Sequence, residues 1–95
     1  MKQLMTLAVC LLSLVIFSQN EKIDKLTVQL AYLEQDSTKV DMSLMLIKEL
    51  YALNDFDKAL LYVNQTSRLS KELNYTKGLA ESSYYRGLLF NQRND

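Results

Sequence analysis

The segment NDFDKALLYVNQTSRL, residues 54–69, contains the pattern from which the fold can be predicted. It begins with Asn54-Asp55, a dipeptide typical of tight turns, and continues with apolar residues at helical spacing. The same dipeptide recurs 40 residues further on as Asn94-Asp95. The segment therefore predicts a turn that leads into an amphipathic helix, in a chain where this turn is used again.

Apolar residues before and after this segment also recur at helical spacing. The first stripe extends from Ile23 to Leu33, and a pattern similar to a capping box at Thr38 indicates the start of the next helix. That second helix has apolar residues on more than one face, so we expect it to lie between neighbouring helices. The pattern predicts helices over residues 20–35, 39–53 and 56–73, and a fourth helix after the break at Asn74-Tyr75-Thr76.

The second and fourth helices are related by a shift of 40 residues. The shift places Ser43 on Ser83 and Leu50 on Phe90, in addition to the two Asn-Asp turns. A helix-turn-helix unit thus begins twice and is completed once, which is typical of a repeat protein. Short connections between the helices predict an all-α, antiparallel array.

The opening segment resembles the middle of a tetratricopeptide repeat (TPR), in which a Gly-Asp/Asn-Tyr-x-x-Ala stretch joins two helices. Asn54 stands for the usual Gly, Phe56 for the Tyr and Ala59 for the small residue. Thr66 stands where Ala is usual. The resemblance extends over Val40–Asp95 and implies a TPR-like α-solenoid fragment.

The resemblance implies one complete repeat over residues 38–76 and a half repeat over 77–95, preceded by an amphipathic helix over 19–37. In such arrays, small residues such as Ala59 and Gly87 allow two helix backbones to approach closely. The residues that the resemblance assigns to packing between helices are Leu46, Ile47, Leu50, Phe56, Ala59, Leu60, Val63, Gly87 and Phe90.

The first helix of each TPR unit lines a concave face, and the resemblance implies that this face binds a protein partner. Aromatic, aliphatic and charged side chains together suit an extended peptide. The alternative is that these residues form ordinary helix surface. The positions that match the concave face are Asp41, Leu44, Lys48, Tyr51, Glu81, Tyr84, Leu88 and Asn91.

Several further residues are of types that occur in active sites, but each has a structural interpretation. Asp55 and Asp57 flank a predicted helix start, where carboxylates cap amides and meet the positive end of the helix dipole. Tyr84 and Tyr85 are neighbours on a helix and point about 100° apart, so one belongs in the core and the other is more exposed. Met45 is interpreted as a residue that fills a packing gap.

The N-terminal segment over residues 1–18 has the layout of a secretory signal peptide. Lys2 precedes an apolar run at 4–17, and Ser18 is a small residue at the expected cleavage position. As a helix, this run would rise roughly 21 Å, which is short of the bilayer core of about 30 Å. We expect an exported protein, periplasmic or secreted, that begins at Gln19, and the alternative is a chain anchored in the inner membrane.

Composition restricts the possible functions. The chain has 95 residues, 11 basic and 11 acidic side chains and no His, so its charge does not favour nucleic acid as a partner. Its single cysteine, Cys10, lies in the predicted signal segment, which leaves no thiol for catalysis or metal binding after cleavage. Neither a phosphate-binding loop nor a set of catalytic groups can be assembled, so we expect no cofactor, no metal and no enzyme activity.

Together these features predict a non-catalytic protein-protein interaction module that is exported to the periplasm. The 40-residue spacing also resembles exported repeat regions of Bacteroidetes-type sensor proteins. This resemblance favours an alternative, a truncated sensory input region of a membrane histidine kinase or transcriptional regulator. Because the predicted fourth helix has no following partner, self-association through the C-terminal half repeat is a further option.

The predicted signal peptide can be tested by intact-mass measurement of the protein from its native host. We expect the mass of a chain that begins at Gln19, because the apolar run is too short for a permanent anchor. A membrane-bound product that still begins at Met1 would contradict cleavage and support the anchored alternative.

Overall fold

A computed structural model describes residues 20–93, and within this range the protein is all-α. Helix α1 is described over residues 20–32, and the remaining helices are α2 (Ser37–Ala52), α3 (Phe56–Glu72) and α4 (Thr76–Arg93). The predicted all-α class, with four helices, is confirmed for these residues. The predicted signal segment and the second Asn-Asp turn at 94–95 lie outside the described residues.

The two connections after α2 and α3 have the same backbone structure. Asn54 and Asn74 both have positive φ, at 62° and 55°, a conformation that Asn adopts more readily than most residues. After α2, the Asn54 amide donates to Tyr51 O (3.0 Å) and the Asp55 amide donates to Leu50 O (3.0 Å). These two bonds form a Schellman motif, which satisfies the last carbonyl groups of the helix.

The connection after α3 repeats this pattern 20 residues later. The Asn74 amide donates to Lys71 O (3.2 Å) and the Tyr75 amide donates to Ser70 O (2.8 Å). Both turns therefore reverse the chain in the same way, and they follow two consecutive helices, α2 and α3. The recurrence in the backbone is thus shorter than the 40-residue shift seen in the sequence.

The start of α2 differs from the sequence expectation. Asp36, rather than Thr38, is the N-cap, and its carboxylate accepts hydrogen bonds from the amides of Thr38 (3.0 Å) and Lys39 (3.3 Å). At the start of α3, Asp55 occupies the N-cap position but makes no side-chain capping bond. Asp57 lies in the first turn of α3, near the positive end of the helix dipole.

The contacts between helices define their directions. Lys22 of α1 forms an ion pair with Glu49 near the end of α2 (2.8 Å), so α1 and α2 are antiparallel. The start of α4 contacts the start of α2 through a hydrogen bond from Tyr75 to Asp41, and Tyr85 later in α4 contacts Tyr51 late in α2. Therefore α2 and α4 run parallel, on one side of the antiparallel α3.

The core is formed by the apolar stripes of all four helices. Three members of the predicted α1 stripe are buried, and α2 has buried residues on several faces, as expected for a helix between neighbours. The side chain of Leu73, which follows the last residue of α3, is 38% exposed in the turn. The buried hydrophobic residues are Ile23, Leu26, Leu30, Val40, Leu44, Leu46, Ile47, Leu50, Ala59, Val63, Leu69 and Leu89.

The inner face of α4 consists mostly of small residues. Gly78 and Ser82 are buried together with Leu89, whereas Ala80 and Tyr84 are exposed. A Cβ atom on Gly78 would lie 2.7 Å from Val40 Cγ1 and would also clash with Ser70 Oγ. At Gly78, therefore, α4 approaches α2 and α3 too closely for a methyl group to fit.

Two expectations for the end of α4 are wrong for the described residues. A Cβ atom on Gly87 would meet nothing within 4 Å, so no close helix contact requires a glycine there. Phe90 is 49% exposed instead of filling a space between helices, and the fully buried residue in this turn is its neighbour Leu89. The 40-residue shift pairs Phe90 with Leu50, whose side chain is only 1% exposed. The two paired positions therefore have different environments.

None of the four described helices has both the length and the apolar character that crossing a bilayer requires.

The two glycines of α4 provide a matched pair of alanine substitutions. We expect Gly78→Ala to lower the free energy of unfolding by about 1–3 kcal/mol, because the added methyl group overpacks the contact with Val40 and Ser70. Gly87→Ala should raise the free energy of unfolding by about 0.5–1 kcal/mol, because alanine is the better helix former at an open position. Denaturant titrations followed by circular dichroism would measure both changes. Equal effects of the two substitutions would contradict the packing described for α4.

Candidate functional site

A groove of about 460 Å³ runs between the parallel helices α2 and α4. The sequence-predicted concave residues that line it are Asp41, Leu44, Lys48, Glu81 and Tyr84. They come together because the side chains at these positions of each helix point into the space between α2 and α4. We refer to this site as the α2–α4 groove.

The other three predicted concave residues lie outside this lining. Tyr51 is half-buried and packs in an aromatic cluster with Phe56 (ring centroids 5.7 Å apart) and Tyr85 (6.1 Å). Leu88 is half-buried and Asn91 is exposed, further along α4. Tyr51 thus supports the end of the groove, whereas Leu88 and Asn91 are not brought to its lining.

Three lining residues were not assigned to the site from the sequence: Met45, Lys77 and Tyr85. Met45 is 51% exposed and faces the groove instead of filling a gap in the core. The signal in the sequence that could have assigned Met45 to the groove is its position directly after Leu44. Two adjacent residues of one helix can both line a groove when the groove is wide. Lys77 precedes Glu81 by one helical turn, which places the two residues on the same face.

The floor and the rim of the groove have different exposure. Leu44, in the floor of the groove, is buried, and Tyr85 of the same lining is half-buried. Tyr84 is 63% exposed, and its ring contacts Tyr85 edge to face with centroids 5.4 Å apart. The expectation that one of the two adjacent tyrosines is more buried than the other is therefore correct. Met45 on α2 and Tyr84 on α4 present accessible apolar surface on the two walls.

One end of the groove is closed by a polar contact between α2 and α4. The Tyr75 hydroxyl donates to Asp41 Oδ1 (2.7 Å), and Lys77 Nζ lies 3.7 Å from the same oxygen. The hydrogen bond to Asp41 raises the pKa of the Tyr75 phenol, because the phenolate would lose this bond and meet a like charge. Burial raises the pKa of Tyr85 as well.

The groove lining contains two charges that no residue in the range 20–93 neutralises. Within residues 20–93, Lys48 and Glu81 take part in no ion pair, and both side chains are exposed. They lie on opposite walls, with Lys48 on α2 and Glu81 on α4. An occupant of the groove can therefore meet a cation on one side and an anion on the other.

The groove has the chemistry of a binding surface. No group of three or more His, Cys, Asp or Glu side chains in residues 20–93 is placed to hold a metal ion. The ionisable residues of the lining are Asp41, Lys48, Lys77, Glu81, Tyr84 and Tyr85. Their arrangement around an apolar floor allows contact with an apolar side chain and hydrogen bonding to a peptide backbone.

No protein-family model, curated protein or solved structure matches this chain.

The contact between Tyr75 and Asp41 predicts a specific dependence of stability on pH. Stability that comes from a raised pKa is present below the unfolded-state pKa of tyrosine, about 10, and is lost as the pH rises through the folded-state value. We expect the free energy of unfolding to fall above about pH 10, and Tyr75→Phe to make this fall smaller. Urea titrations over this pH range would measure the difference.

Tyr32→Phe is the matched control, because Tyr32 is 86% exposed and does not line the groove. It should leave the alkaline fall unchanged. Identical pH profiles for wild type and Tyr75→Phe would show that the hydrogen bond to Asp41 makes no contribution.

Proposed function

We propose that this protein is a non-catalytic interaction module whose α2–α4 groove binds an extended peptide segment of a partner protein. The observation that carries the proposal is the pair of accessible apolar side chains on facing walls, Met45 at 51% and Tyr84 at 63% exposure. Apolar surface of this kind, bordered by charges, is typical of sites that bind another protein.

The shape of the groove supports an extended peptide rather than a compact ligand. Its walls are the two parallel helices α2 and α4. These helices contact each other through Tyr75 and Asp41 near their starts and through Tyr85 and Tyr51 further along. A peptide in this position would place an apolar side chain between Met45 and Tyr84, above the buried floor at Leu44. Lys48 and Glu81 would meet polar or charged groups on either side of that side chain.

The proposal includes the TPR-like character of residues 38–95. Its support is the pattern Asn54, Phe56 and Ala59, together with an α-hairpin architecture in which two helices of the same direction border one groove. In this proposal the chain is exported to the periplasm, and the signal peptide is cleaved after Ser18. Support for export is the charged start and the apolar run of residues 1–18.

The proposed groove function can be tested with peptides selected from a random display library against the purified protein. We expect Met45→Ala and Tyr84→Ala each to weaken binding of the selected peptides about tenfold, equivalent to roughly 1.4 kcal/mol, because each removes part of the apolar contact. Fluorescence anisotropy with labelled peptides would measure the dissociation constants.

Leu61→Ala provides the control for this experiment. Leu61 is 54% exposed, nearly the same as Met45, but it lies on α3 outside the groove. Its removal should change affinity less than twofold, which is the expectation for a residue without contact to the peptide. Selected peptides that bind the double variant Met45→Ala/Tyr84→Ala as tightly as the wild type would refute the proposal.

A further inference from the structure

We propose that Met45 is a site of reversible oxidation, and that its conversion to methionine sulfoxide weakens peptide binding in the α2–α4 groove. The inference rests on the proposed function, because the groove must bind a peptide before oxidation can reduce that binding. It adds a modification site and a form of regulation to the same groove. The residue that carries it lies on the α2 wall and is 51% exposed.

Sulfur occurs in only two side chains of the described part of the chain. Residues 20–93 contain no cysteine, and their two methionines are Met42 and Met45. Cys10 lies in the predicted signal peptide and would be absent from the cleaved protein. An oxidant that reaches the cleaved protein would therefore meet methionine sulfur and no thiol.

The two methionines lie three residues apart on α2 but have different environments. Met42 is half-buried and packs against the hydrophobic core. Met45 lies outside that core and lines the groove, with about half of its surface accessible to solvent. Because oxidation of a sulfur-containing side chain depends on its exposure, Met45 should react before Met42.

The modification requires only a peroxide as the oxidant. The thioether sulfur of Met45 attacks one oxygen of hydrogen peroxide, so that an S–O bond forms and the O–O bond breaks. The sulfur gives up two electrons, and the second peroxide oxygen leaves as water after proton transfer. Methionine sulfoxide reductases reverse the change with two electrons from a thiol, so the site can return to its first state.

The sulfoxide changes the wall that the peptide contacts. In the proposed complex, an apolar side chain of the peptide lies between Met45 and Tyr84, which is 63% exposed on the facing wall. The sulfoxide oxygen is polar and is hydrated while the groove is empty, and burying it without a hydrogen bond is unfavourable. Oxidation therefore removes apolar contact and adds a desolvation cost to peptide binding.

Oxidation of Met45 should leave the fold intact. Leu44 and Leu46 on either side of it are buried in the core, whereas Met45 itself faces the groove. A polar group added at Met45 remains in water, but one added at Met42 would enter the packing around the core. The expected signature of Met45 sulfoxide is thus a lower peptide affinity at an unchanged unfolding temperature.

Treatment of the purified full-length chain with hydrogen peroxide, followed by peptide mapping with mass spectrometry, would test the site. We expect the addition of one oxygen to Met45 at least fivefold faster than to Met42. Protein oxidised at Met45 should bind the library-selected peptides at least tenfold more weakly in fluorescence anisotropy. Methionine sulfoxide reductases for both sulfoxide epimers, supplied with a thiol, should restore the affinity.

Met45→Leu and Met42→Leu form a matched pair, because each replaces one sulfur by an apolar group of similar volume. Peroxide should change the affinity of Met45→Leu less than twofold relative to its own untreated value. It should still weaken binding by Met42→Leu at least tenfold. In the wild type, saturating peptide should slow the oxidation of Met45 at least threefold and leave that of Met42 unchanged.

Three outcomes would overturn the inference. These are oxidation of Met42 as fast as that of Met45, unchanged peptide affinity after Met45 oxidation, and an equal loss of affinity for peroxide-treated Met45→Leu. A lower unfolding temperature after oxidation of Met45 alone would also overturn it, since the loss of binding would then reflect unfolding. Failure of the untreated protein to bind any peptide refutes the proposed function as well. Normal binding that peroxide does not alter refutes only this inference.

Discussion

The arrangement of the described helices depends on the contact at Gly78. Here α4 meets Val40 of α2 and Ser70 of α3, and no side chain beyond hydrogen fits between them. Val40 and Ser70 are both fully buried, so neither can move aside without disturbing the core. Because α4 lies this close to α2 at its start, the two helices can run side by side and form the walls of the α2–α4 groove.

Two further contacts hold α4 along its length. At the start of the helix, Tyr75 and Lys77 both approach Asp41, and further on Arg86 donates a hydrogen bond to Asn64 of α3 (3.1 Å). Exposed ion pairs and hydrogen bonds each contribute little, typically below about 1 kcal/mol. These contacts mainly determine the longitudinal position of α4 relative to α2 and α3, because each of them can form at only one such position. Burial of Leu89 then secures the last turns of the helix.

Helix positions and the α2 core could be predicted from the sequence because they depend on large apolar residues at regular spacing. The inner face of α4 could not, since Gly78 and Ser82 carry no hydrophobic pattern and their role depends on which helix lies opposite. The groove residues Asp41, Leu44, Lys48, Glu81 and Tyr84 were assigned through the resemblance to a tetratricopeptide repeat, which implies that the second and fourth helices border one face. Thr66 was recognised only as a departure from the usual alanine.

The two Schellman turns have a consequence for how the chain tolerates changes in length. Each turn determines the residue at which the next helix begins. The number of residues between Asn54 and Asn74 therefore determines the direction around the α3 axis in which the chain leaves α3 and enters α4. One inserted residue within α3 would rotate everything after it by about 100° around the helix axis. If the insertion precedes Ser70, Ser70 and Gly78 turn together, Gly78 no longer faces Val40 of α2, and the α2–α4 groove loses the wall formed by α4. Evolution of this protein should therefore permit many substitutions on the helix surfaces but few insertions or deletions within the helices.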